Sequence, residues 1–141
     1  MPLFAAAVTL ALGLAQPAAQ SFAGIWTAAL KGQVYARLEL REANGTLSGR
    51  ISLGAIHVDK DGVVETVNAP ATNFTPIFDV MARGGVVAFA RKDGDDTDRF
   101  EIRMVDGDVQ LTFVPSAEDR EKFAREGLPL PTPVRLSKDA R

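Results

Sequence analysis

Cysteine is absent from the 141 residues, and histidine occurs once, as His57. Without cysteine the protein has no disulfide bonds, no thiolate metal ligands and no cysteine to carry a lipid anchor. A single histidine excludes the usual zinc sites, in which two or three imidazoles bind the metal. The folded chain therefore depends on side-chain packing and backbone hydrogen bonds for its stability.

Charged residues are missing from the first part of the chain. Residues 1–20 contain no Asp, Glu, Lys or Arg, although the whole chain has 16 basic and 18 acidic residues. An apolar run over residues 3–14 is followed by small residues over 15–20, which is typical of a secretory signal peptide. A permanent membrane anchor needs about 20 apolar residues, and Pro17 interrupts this run. We predict a signal peptide over residues 1–20 and a periplasmic or secreted protein.

Residues 21–141 have the length of one domain that folds without covalent staples. The formal net charge is −2. A chain so nearly neutral has no basic field to attract nucleic acid or an anionic lipid surface. We therefore expect a single domain and no nucleic-acid partner.

Period-two alternation dominates the sequence from Phe22 onward, which is typical of antiparallel strands. Apolar residues alternate with polar ones between Val34 and Arg41, so this strand has one buried and one solvated face. Asn44 and Gly45 follow, and both tolerate the positive φ that a two-residue type I′ turn requires. The alternation then resumes from Leu47 to Leu53, which predicts a β-hairpin.

Two further hairpins are predicted around Gly84-Gly85 and around Asp106-Gly107-Asp108. Further strands are predicted over residues 25–30, 63–67 and 134–136, which gives about eight or nine strands in all. Strands this regular, joined by tight turns, favour an all-β fold, an antiparallel up-and-down barrel or a sandwich.

One short helix interrupts the strands before the last of them. Ser116 to Asp119 resembles a capping box, and Gly127 followed by three prolines ends the helix. Its apolar stripe is narrow, chiefly Phe123 and Ala124. We expect it to lie across the sheet or across a barrel mouth.

Gly24, Ile25 and Trp26 lie in the first predicted strand. This Gly-x-Trp sequence resembles the signature of the calycin superfamily, which includes lipocalins and avidins. The resemblance implies a closed antiparallel barrel with an apolar ligand cavity, whose base is closed by the tryptophan. It also implies a cation packed across the indole ring, with Arg135 as the best positional match and Lys138 as the second.

The residues that carry catalysis in other proteins do not form a recognisable set here. Ser48 and Ser52 lie in a strand without the Gly-x-Ser-x-Gly sequence that presents a nucleophile, so His57 has no evident catalytic partner. Glu39 and Glu101 alternate with apolar neighbours and are expected to face solvent, not a hydrolytic cleft. We predict that the protein is not an enzyme.

Four carboxylates crowd a single predicted loop, at Asp93, Asp95, Asp96 and Asp98. Carboxylate oxygens are the ligands that calcium prefers, but the Gly and Glu that complete an EF-hand loop are missing. A solvated hairpin tip explains the same residues. Calcium remains an alternative, and no metal or cofactor is predicted.

The first functional hypothesis is a barrel that encloses a small apolar ligand. Nine apolar side chains on the inner faces of the strands are expected to line its interior. They are Ala36, Leu38, Leu40, Ile51, Phe89, Phe100, Ile102, Leu111 and Phe113. The alternative is an envelope protein-interaction module or a calycin-like protease inhibitor, with recognition on Asn68–Pro76 or Gly127–Pro133.

Overall fold

The computed structural model describes residues 22–139, which form ten strands and one helix. The strands are β1 (Gly24–Leu30), β2 (Gln33–Ala43), β3 (Thr46–Leu53), β4 (Ala55–Val58), β5 (Val64–Ala69), β6 (Thr75–Arg83), β7 (Val86–Asp93), β8 (Asp96–Val105), β9 (Asp108–Phe113) and β10 (Val134–Lys138), and the helix is α1 (Ala117–Arg125). The signal peptide predicted over residues 1–20 lies outside the described residues. Within the described range, no helix combines the length and the apolar character needed to span a membrane.

Eight strands close into a barrel in the order β1–β10–β9–β8–β7–β6–β3–β2, and β2 pairs again with β1. All neighbouring strands are antiparallel. This confirms the predicted antiparallel barrel with one short helix before its last strand. Closure satisfies the backbone donors and acceptors that an open sheet would expose at its two edges.

Two-residue turns set the register of the hairpins. Asn44 and Gly45 adopt φ angles of 56° and 75°, and Ala43 pairs with Thr46 across them. Gly84-Gly85 and Asp106-Gly107 also have positive φ at both positions. All three turns therefore satisfy the type I′ requirement, and the three predicted hairpins are confirmed.

The strand predicted over residues 63–67 is not part of the barrel. It is β5, and it pairs only with β4 in a separate two-stranded sheet that we call the β4–β5 flap. The flap is inserted between β3 and β6, which pair directly through Arg50 with Pro76 and Ile51 with Thr75. Because no side chain of β4 or β5 is fully buried, the flap contributes little to the core.

The core fills the inner face of the barrel. Of the nine apolar residues predicted to face inward, eight belong to one buried cluster and Phe113 packs against it. The cluster also contains Trp26, Phe22 and Leu136, each at most 2% exposed. Period-two alternation was sufficient to select the inner face because successive strand side chains point to opposite sides of the sheet.

Trp26 lies near the start of β1, and its indole Nε1 donates to the Phe22 carbonyl at 2.9 Å. Lys138 Nζ lies 5.7 Å from the centre of the indole ring, so Lys138 is the cation near the ring. Arg135 instead donates to the Val105 carbonyl at 3.0 Å. The preference for Arg135 was wrong because Trp26 pairs with Lys138 across β1 and β10, while Arg135 is on the exposed face of β10.

Candidate functional site: an open pocket at one end of the barrel

A pocket of about 660 Å³ opens at the barrel end where β2, β6, β8 and β10 begin. Four of the nine predicted interior residues line it, namely Ala36, Phe100, Leu111 and Phe113. The other five lie in the packed core outside the pocket lining, and they are Leu38, Leu40, Ile51, Phe89 and Ile102. The barrel is therefore filled over part of its length and open at one end.

Aromatic rings form a row across three neighbouring strands at the inner wall. Phe89 stacks on Phe100 with ring centres 5.6 Å apart, and Phe100 contacts Phe113 at 5.9 Å. The strand register causes this row, since Phe100 lies opposite Phe89 on one side and opposite Phe113 on the other. Rings at these separations attract one another beyond their area burial, so the three side chains stabilise one another's positions.

The inner face of β7 and β8 changes from apolar to charged towards the mouth. Phe89 lies opposite Phe100 deepest in the barrel. The next pair towards the mouth is Arg91 with Asp98, and the outermost pair is Asp93 with Asp96. A molecule that entered along this wall would meet carboxylates first, then an ion pair and finally aromatic rings. The wall therefore suits an amphipathic molecule better than a purely apolar one.

Arg91 and Asp98 form the main polar contact inside the pocket. Arg91 Nε and Nη2 both donate to Asp98 Oδ2, at 3.2 and 3.1 Å. The two side chains are only 15% and 22% exposed. The Arg91 guanidinium also lies 5.9 Å from the centre of the Phe100 ring. Partial burial of the two charges carries a desolvation cost. Their two hydrogen bonds fix the geometry of the pair, so the wall has a charged group at a defined position.

Helix α1 borders the mouth, as its narrow apolar stripe predicts. Phe123 lines the pocket together with Asp119 and Lys122. The predicted capping box holds the start of the helix, because Ser116 Oγ accepts from the Asp119 backbone at 3.0 Å and Asp119 Oδ2 accepts from the Ser116 backbone at 3.2 Å. Asp119 therefore has a structural role as well as a position on the rim.

The β4–β5 flap and the proline-rich segment Gly127–Pro133 meet beside the pocket. The Gly62 carbonyl accepts from the Thr132 backbone at 3.0 Å and from Thr132 Oγ1 at 3.2 Å. Gly62 has a φ of 84°, and a β carbon there would collide with the Leu130 carbonyl. Ile56 from the flap and Pro131 from the proline-rich segment both line the pocket. Both segments that the interaction hypothesis assigned to a partner line the pocket as well, Asn68–Pro76 through Asn73 and Thr75 and Gly127–Pro133 through Pro131 and Thr132.

Tyr35 is among the lining residues and carries the phenol group of the pocket wall. Burial raises the pKa of Tyr35 above its ordinary value. The phenol therefore stays protonated near neutral pH and can donate a hydrogen bond to a ligand.

The residues considered for catalysis lie apart from this pocket. His57 is 66% exposed on the flap, with Nε2 3.8 Å from Glu65. Ser52 Oγ is buried and has no hydrogen-bond partner among the described residues. Glu39 is bound by Arg37 and Arg50 at 3.1 and 2.8 Å. Neither His57, Ser52 nor Glu39 belongs to the pocket described above.

The four carboxylates considered for calcium do not share one loop. Only Gly94 and Asp95 form the turn, because Asp93 ends β7 and Asp96 begins β8. Asp98 is held by Arg91. Within residues 22–139, no group of three or more His, Cys, Asp or Glu side chains is arranged to hold a metal ion.

Sequence reasoning missed Arg91 and Asp98 as site residues. The alternation that places Phe89 and Phe100 inside also places these two residues inside, since each lies two positions nearer the turn between β7 and β8. Asp98 was interpreted as part of a solvated hairpin tip because charged residues are usually exposed, and Arg91 was not considered. Continuing the alternation into the charged segment would have identified the pair.

In comparisons with protein-family models, with curated proteins and with solved structures, no significant match to this chain was found.

Proposed function

We propose that this protein is a non-catalytic binding protein that holds one small amphipathic molecule in the open end of its barrel. The observation that carries the proposal is the 660 Å³ pocket, whose wall grades from aromatic rings to charged side chains. Its volume lies within the range of about 300–1,000 Å³ that is usual for small-molecule sites. The sequence-based hypothesis of an apolar ligand is thereby refined to a ligand with one polar end.

Binding of a neutral fluorescent probe, N-phenyl-1-naphthylamine, tests this proposal. The purified protein is expected to bind the probe and raise its emission. Ala36→Phe should weaken binding at least roughly tenfold, because Ala36 is 2% exposed and lines the pocket, so that a larger side chain fills it. Trp26 is unsuitable as the reporter because it is not a lining residue.

Ala29→Phe is the matched control, since Ala29 is an exposed residue of the neighbouring strand β1. It is expected to leave binding unchanged. If Ala36→Phe does not fold, Leu53→Trp fills the same pocket from a half-buried position at the end of β3. Absence of probe binding by the unaltered protein would refute the ligand-binding proposal and favour the interaction module.

We also propose that the protein acts outside the cytoplasm. The charge-free segment over residues 1–20 supports this. N-terminal sequencing of the protein from its native host is expected to find a first residue between Gln16 and Ser21. Recovery of a chain that begins at Met1 from the cytoplasmic fraction would contradict export.

A further inference from the structure

We infer that the ligand of the pocket is an amphipathic organic cation, an apolar body that carries a positively charged nitrogen. This inference rests on the proposed function, and it adds the sign of the ligand's charge. It follows from the charges on the pocket wall, from the aromatic residues beside them and from the hydrogen bonds that Arg91 donates to Asp98.

Acidic side chains outnumber basic ones on the pocket wall by two. The six charged lining residues are Arg91, Lys122, Asp93, Asp96, Asp98 and Asp119. Arg91 compensates Asp98 at 3.1 Å and is 3.9 Å from Asp93. Asp96 forms no ion pair with any residue of the described range 22–139. The lining residues therefore carry a formal net charge of −2, which favours a cation over an anion.

The outermost pair on this wall is two like charges. Asp93 and Asp96 lie directly opposite each other on β7 and β8. Like charges in this position destabilise a hairpin. A positive group bound between them would relieve this repulsion. Binding of a cation would therefore also stabilise the hairpin.

The aromatic residues of the lining also favour a positively charged ligand. Four aromatic residues, Phe100, Phe113, Phe123 and Tyr35, are among those that line the pocket. The faces of such rings attract cations, and the Arg91 guanidinium already lies near the Phe100 ring. An anionic ligand at Arg91 would instead compete with Asp98 for the Nε and Nη2 groups, which leaves Lys122 as the other basic residue of the lining.

Three probes with one eight-carbon tail test the inference, namely octyltrimethylammonium, 1-octanol and octanoate, each measured by displacement of N-phenyl-1-naphthylamine. The ammonium probe is expected to bind on the order of tenfold more tightly than octanoate, with octanol between them. The preference should shrink several-fold in about 1 M salt, where the Debye length falls to about 3 Å.

Substitution of both Asp93→Asn and Asp96→Asn should reduce the ratio of ammonium to octanol affinity several-fold, because ammonium binding loses two attractive charges. Asp95→Asn is the control, because it removes one carboxylate from the same turn at a residue that does not line the pocket. The inference is overturned if octanoate binds as tightly as the ammonium probe, or if the double substitution leaves the ratio unchanged. If octanol, octanoate and the ammonium probe bind equally well, the inference of a cationic ligand is wrong but the proposed function stands. If neither the dye nor any of the three probes binds, the proposed function is wrong as well.

Discussion

Trp26→Ala is expected to lower the free energy of unfolding by about 3–5 kcal/mol. Trp26 is 1% exposed and is among the largest fully buried side chains. Its truncation removes the indole from the core and leaves the Phe22 carbonyl without the Nε1 donor. Urea denaturation followed by far-ultraviolet circular dichroism measures the change.

Two milder substitutions separate the contributions at this position. Trp26→Phe retains part of the ring volume and loses the hydrogen bond, so we expect a smaller loss of about 1–2 kcal/mol. Lys138→Met removes only the cation near the ring and should cost about 0.5–1 kcal/mol. A loss below about 1 kcal/mol for Trp26→Ala would show that the indole does not close the barrel.

Gly49→Ala is expected to destabilise the barrel by about 2–3 kcal/mol, although it adds a single methyl group. Gly49 lies in β3 opposite Leu40 of β2. A β carbon on Gly49 would overlap the backbone carbonyl of Glu39, which cannot move aside as the end of a flexible side chain can. The methyl group therefore forces β2 and β3 apart at one of the longest pairings in the barrel.

Ser48→Ala serves as the control for this prediction, because Ser48 is the exposed neighbour of Gly49 in the same strand. It should change stability by less than about 0.5 kcal/mol. Denaturation midpoints of the two variants provide the comparison, and equal midpoints would show that β2 and β3 tolerate the methyl group.

The structure changes the functional interpretation at particular residues. Alternation identified Phe100 and Phe113 as interior residues, and both line the pocket. It did not indicate that Leu38 and Ile51, on the same inner face, are packed in the filled part of the barrel. Depth along the barrel axis depends on strand tilt and stagger, which period-two alternation does not encode.

Charge was the second source of error. Asp98 was grouped with its acidic neighbours as a hairpin tip, whereas it extends inward and binds Arg91. Burial of a charged residue is favourable only when a partner lies within reach. That partner is on the adjacent strand, so its presence depends on the pairing of Arg91 with Asp98 and not on composition.

The sequence by itself determined the local elements. Asn44 and Gly45 specify a turn because both adopt positive φ readily, and Ser116 begins the helix because its side chain accepts from a nearby backbone donor. Alternation determined which side chains face inward, since that choice requires only neighbouring positions in the chain.

The tertiary structure alone decided how the strands close. Pairing of β1 with β10 joins the two ends of the described chain and places Lys138, not Arg135, near Trp26. Pairing of β3 with β6 excludes the β4–β5 flap from the barrel, and the flap then forms part of the rim of the pocket. These outcomes depend on contacts between distant segments, whose register is set by the simultaneous fit of all eight strands around the core, and no local pattern contains that information.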